Sequence, residues 1–111
     1  MSSASETKAL YIVVNAGFSD EVMTMARAIG AKGGTIINAR GTAGIRKSIM
    51  GISVDSEKEI ILILIDGETA KKIMDIIKEK MGTHSPAQGI CYTLPVDRTT
   101  IINNFSPNTD Q

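Results

Sequence analysis

The sequence predicts an α+β domain, an antiparallel sheet with two helices on one of its faces. Three observations carry this. Short runs rich in Ile, Val, Leu and Tyr recur at Ala9–Val14, Thr35–Arg40, Glu57–Ile65 and Ile90–Leu94. Two longer segments, opening at Ser19 and after Asp66, carry apolar residues at helical spacing. Glycine- and proline-containing breaks separate the runs, so each is a separate element.

Ala9-Leu-Tyr-Ile-Val-Val14 reads as a buried strand because β-branched and aromatic residues dominate a short run. Asn15-Ala-Gly-Phe-Ser19 is the turn, with Ser19 as N-cap and Asp20 and Glu21 in the first turn, where the helix dipole favours acids. Val22, Met25, Ala26 and Ile29 follow on one face, and Gly30 stops the helix. Gly33-Gly34 leads into the second strand. Gly41–Ser56 shows no sustained period and reads as a loop. Six consecutive aliphatics at Ile60–Ile65 predict a strand buried on both faces. Asp66 caps a second helix whose Ala70, Ile73, Met74, Ile77 and Met81 form a stripe. Gly82–Gly89 is a loop, and Ile90–Leu94 a last strand broken by Pro95. Ile101-Ile102 offers a short edge strand; residues 1–7 read as a polar leader and 103–111 as a frayed tail. The order β-α-β-β-α-β is the ferredoxin-like split βαβ plan. Both helices on one face leave the other needing cover, which in so short a chain comes from further subunits.

At 111 residues, 42% hydrophobic and 22% charged, the chain is one globular domain, residues 1–111. Twelve basic residues balance twelve acidic ones, and no basic run exceeds two residues, so nucleic acid is not the expected partner. No apolar stretch approaches the ~18–20 residues of a membrane span, and no signal peptide is visible. A single cysteine, Cys91, suits a reducing cytoplasm.

The long connection sets Arg46, Lys47 and Ser48 beside Ile45, Ile49, Met50 and Ile52. Apolar residues that bury area and cations that set register suit docking on a protein; a plain flexible insertion is the other reading. Gly41-Thr-Ala-Gly-Ile-Arg-Lys-Ser48 is no phosphate-cradling loop, because Arg46 stands where a glycine must precede Lys-Ser. Gly82-Thr-His-Ser-Pro-Ala-Gln-Gly89 supplies hydroxyls, an imidazole, an amide and backbone N–H groups for an anion or a base. His84 is the only histidine, so one chain holds no self-contained His metal site. Cys91 packs as a small hydrophobe; as a nucleophile it would need His84 as its base.

With Ser19-Asp-Glu-Val22, Gly30, Gly33-Gly-Thr35, the long loop, Thr83–Gly89 and Leu94-Pro-Val-Asp-Arg98 in this order, the chain from Lys8 to Ile102 resembles the PII signalling superfamily. The resemblance implies a homotrimer with adenine nucleotides in its subunit clefts. Gly41–Ser56 then corresponds to the effector-reaching T-loop and Thr83–Gly89 to the nucleotide-contacting B-loop. It implies a ligand site walled by Gly33, Gly34, Thr35, Gly41, Leu64, Thr83, His84, Ser85, Gln88, Gly89 and Arg98. The partner-binding loop residues are Ile45, Arg46, Lys47, Ser48, Ile49 and Met50, and the target is a transporter or an enzyme. The sequence departs from the family at Ile90, where the B-loop signature has lysine, and at Ile101 and Asn103, where arginines are expected. The resemblance thus implies a regulatory binding protein without catalytic residues or bound metal. A small trimeric enzyme using His84 and Cys91, and a divalent-cation tolerance protein, are the alternatives.

Overall fold

The computed structural model describes residues 6–42, 47–49, 52–54 and 56–101. Most of the leader and the tail from residue 102, Ile102 included, lie outside them, as do Ile45, Arg46 and Met50 of the connection. The elements run β1 (Thr7–Asn15), α1 (Ser19–Ile29), β2 (Thr35–Gly41), β3 (Lys47–Ile49), β4 (Ile52–Val54), β5 (Ser56–Asp66), α2 (Gly67–Met81) and β6 (Ile90–Pro95).

Four strands make one sheet in the order β2-β5-β1-β6, antiparallel throughout. Strand alternation divides its residues between two faces. On one face Leu10, Ile12 and Val14 of β1 and Ile61, Ile63 and Ile65 of β5 are buried against the helices. They meet Val22, Met23 and Ala26 of α1 and Ala70, Ile73, Ile77 and Met81 of α2 in a single core. The predicted stripe of α2 is thus the buried face, with Met74 at its margin. Ile60, Leu62 and Leu64 are only half-buried, so the described residues cover the unbroken aliphatic run on one side and leave the other open.

The helix ends differ from each other. The Asp66 carboxylate accepts from the Thr69 N–H at 3.0 Å, the expected cap of α2. Ser19, expected to cap α1, is instead its first residue and is buried, and no side chain of the preceding residue, Phe18, caps it. The Glu59 carboxylate reaches over from β5 to accept from Gly17 N–H at 3.1 Å and Ser19 N–H at 3.2 Å. Gly30 ends α1 with φ +141°, a backbone that strains any other residue.

Within the stretch read as a loop, β3 and β4 pair with Lys47 opposite Val54 and Ile49 opposite Ile52. The β-branched residues flanking Met50-Gly51 were the available sequence signal. Pro95 closes β6, an edge strand, where its missing N–H costs no ladder bond. Ile101 is exposed and outside any strand, with its N–H on Thr99 Oγ1 at 3.1 Å. Among the described residues, no helix is long and apolar enough to cross a membrane.

Candidate functional site

The loop Gly82–Gly89 leaves the end of α2 and folds back on itself. Ser85 N–H donates to Gly82 C=O at 2.9 Å, Gln88 N–H to Ser85 C=O at 3.0 Å, and Gly89 N–H to Met81 C=O at 2.7 Å. The Ser85 hydroxyl also donates to Gly82 C=O, at 2.7 Å. These amides, expected to face a ligand, are therefore engaged by the loop itself. Gln88 adopts a left-handed φ of 48°, uncommon for a residue with a side chain. Gly89 is buried, and a Cβ there would meet the Met81 carbonyl oxygen and Val14 Cγ1. Its glycine answers to packing.

Thr83, His84 and Gly89 do come together. With Met74, Ile77, Lys78, Ile90 and Cys91 they line a groove of about 480 Å³ between α2 and the start of β6. The Cys91 thiol is half-buried there, and its pKa is raised, first by desolvation and then by the charge of Asp75. A thiol held protonated is a poor nucleophile. Among the described residues, no group of three His, Cys, Asp or Glu side chains could hold a metal ion.

The other expected ligand residues lie elsewhere. Gly33, Gly34 and Thr35 stand at the head of β2, on the opposite edge of the sheet from β6. Two strands intervene, and three inter-strand steps span about 14 Å. Leu64 pairs with Ala9 and shares the open face with it. Gly34 approaches β5 so closely that a Cβ would stand 3.2 Å from the Leu62 carbonyl oxygen, whereas Gly33 has open space around it. Gly41 ends β2 opposite Ser56. Arg98 follows β6, about 17 Å of strand away from the Gly82–Gly89 loop. Its side chain is fully in solvent, 3.7 Å from Asp97. Of the docking residues, Lys47, Ser48 and Ile49 form β3.

One residue that sequence reasoning passed over ties these parts together. Asn15, at the end of β1, donates its backbone N–H to Ala87 C=O at 2.8 Å and its side-chain Nδ2 to Pro86 C=O, also at 2.8 Å. Its Oδ1 accepts from Lys58 Nζ at 2.7 Å. In sequence Asn15 is an ordinary turn residue; its partners lie 43 and 71 positions away.

The sheet face away from the helices is apolar, and none of the described residues covers it. Ile37, Ile90, Tyr92 and Leu94 on it are 43–50% exposed, and Tyr11 and Tyr92 stack across β1 and β6 with ring centroids 5.3 Å apart. The sequence model of the family described as nitrogen regulatory protein P-II matches residues 7–104, which takes in the whole sheet, both helices and the connection. The chain belongs to the P-II family.

Solved structures agree with the P-II fold. The B. subtilis GlnK–ATP complex superimposes with a TM-score of 0.68 at 18% identity, over 92% of this chain and 94% of that one. A second B. subtilis GlnK structure gives 0.65 at 17% identity, over 92% and 95%. The PII-like signaling protein TTHA0516 of Thermus thermophilus gives 0.64 at 23% identity, over 81% and 86%. No curated protein matches the sequence at a significant level. P-II proteins are regulatory, form homotrimers and control target proteins.

Proposed function

We propose that this P-II protein is a homotrimeric regulator, not an enzyme. A small effector, an adenine nucleotide in our reading, binds in its subunit clefts, and the Gly41–Ser56 connection carries the signal to a target protein, either a transporter or a metabolic enzyme. One observation carries the reading. Two groups of the expected ligand residues lie at opposite edges of one sheet, Gly33–Thr35 at the head of β2 and Thr83–Gly89 before β6. Side by side, two copies bring unlike edges together, so a cleft with both groups exists only in the assembly. The open apolar face supplies the surface on which such copies meet. A raised Cys91 pKa speaks against the thiol chemistry an enzyme reading would need.

Ile90 and Ile101 stand where the family places cations, and the phosphate-binding charge is reduced accordingly. Calorimetry on the full chain with ATP, ADP, AMP and 2-oxoglutarate tests the reading. Weak nucleotide binding with no strong preference for ATP over AMP is expected. Tight, magnesium-dependent ATP binding enhanced by 2-oxoglutarate would overturn the reduced-phosphate reading. Binding of no nucleotide at all would remove the adenine ligand.

A further inference from the structure

Asn15 faces two chain segments with three different groups. Both of its donors hold carbonyls of the Gly82–Gly89 loop, Ala87 through the backbone and Pro86 through Nδ2. Its one side-chain acceptor holds the ammonium of Lys58. Lys58 lies where the long connection rejoins the sheet, paired with Asn15 on one side and Ala39 on the other. Its stem lies against Gly41, where a Cβ would stand 2.8 Å from Lys58 Cε. The next link is backbone: Ala16 N–H donates to Glu57 C=O at 3.0 Å. Turning the carboxamide over would set Nδ2 against an ammonium and Oδ1 against a carbonyl, so its neighbours fix its orientation. The carboxamide is planar, and a shift of the Pro86 carbonyl that turns Nδ2 also turns Oδ1 away from Lys58.

We propose that Asn15 is a positioning residue that couples the Gly82–Gly89 loop to the two stems of the long connection, Gly41 and Ser56–Lys58. Its use in signalling rests on the regulatory reading above; the coupling itself rests on these bonds. Coupling of this kind is reciprocal, so loosening the stem must loosen the loop.

Amide hydrogen exchange on the full chain tests this without a ligand. Lys58→Met keeps the stem that packs on Gly41 and removes the ammonium. Exchange at Ser85, Gln88 and Gly89, none of which Lys58 bonds, is expected to quicken roughly fivefold or more, as befits loss of a charged hydrogen bond. Exchange in the core of β1, Leu10–Val14, stays at the wild-type rate. Unchanged loop exchange, or an equal rise in the core that marks general destabilisation, overturns the coupling. Should Lys58→Met not fold, Asn15→Asp serves instead: it keeps the acceptor for Lys58 and loses the donor to Pro86. With ATP as the probe, the wild type is expected to gain protection at both Gly82–Gly89 and Ser56–Glu59, and Asn15→Asp only at the first. Protection at both in the variant overturns the coupling. If ATP protects neither segment in the wild type, the ligand reading fails, and free-state exchange in the variants still decides the coupling.

Discussion

The carboxylate of Glu59 takes two backbone N–H groups at the head of α1, a role that local spacing assigns to Ser19. Ser19 was legible as the start of the helix but not as a buried member of it, because what caps α1 comes from a strand 40 positions on. Glu59→Ala leaves those donors without their acceptor and is expected to cost about 1–2 kcal/mol. Urea unfolding should then show a lower midpoint at unchanged slope. Cys91 gives a second expectation at this scale. Burial and Asp75 hold its thiol protonated above the ordinary pKa of 9.0. Alkylation by iodoacetamide at pH 8 should therefore run slower than for a free cysteine, and unfolding in urea should restore the rate. The folded state holds this proton more tightly than the unfolded chain. The resulting stabilisation is full below about pH 9 and is lost as pH climbs through the raised value. Cys91→Ala should lack that part of the alkaline loss in urea titrations.

At the scale of elements, most of the fold was legible. The unbroken apolar runs on β1 and β5 and the stripe on α2 are strong signals, and each supplied a core face. The β3–β4 hairpin was not legible as such, because three-residue strands are too short to show a period. The sequence shows which candidate site residues are neighbours along the chain, and less of why each residue type stands where it does. Thr83, His84 and Gly89 do line one groove. Yet the spacing of glycines cannot tell close approach to a ligand from close approach to the chain's own backbone. Gly89 is the second case: its N–H bonds Met81 C=O at 2.7 Å, and a side chain would press on that same carbonyl. Gly89→Ala is expected to destabilise by about 1–3 kcal/mol through forced displacement of the α2 end. A fall in Tm of several degrees would register it; an unchanged Tm would return Gly89 to the set of ligand-facing glycines.

At the scale of the whole molecule, the decisive feature is the face that no helix covers. The aliphatic run of β5 predicted burial on both sides, and the described residues of one chain supply only one. Tyr92 lies midway along β6, at one margin of the open side, stacked on Tyr11 with its ring 4° from parallel, while Leu94 and Ile90 flank it on β6. A charge introduced there touches nothing in the helix-side core but would be buried, unpaired, against any second copy. Tyr92→Asp is therefore expected to keep the far-ultraviolet circular dichroism of the wild type and to lower the mass in light scattering from trimer to monomer. Because Gly33–Thr35 and Thr83–Gly89 sit on opposite edges of one sheet, the same variant should also lose nucleotide binding although every residue of the Gly82–Gly89 loop is intact. A trimer that persists in Tyr92→Asp would move the interface off this face. A monomer that still binds AMP with wild-type affinity would place the ligand within one chain, with the groove beside Thr83 and His84 as its seat.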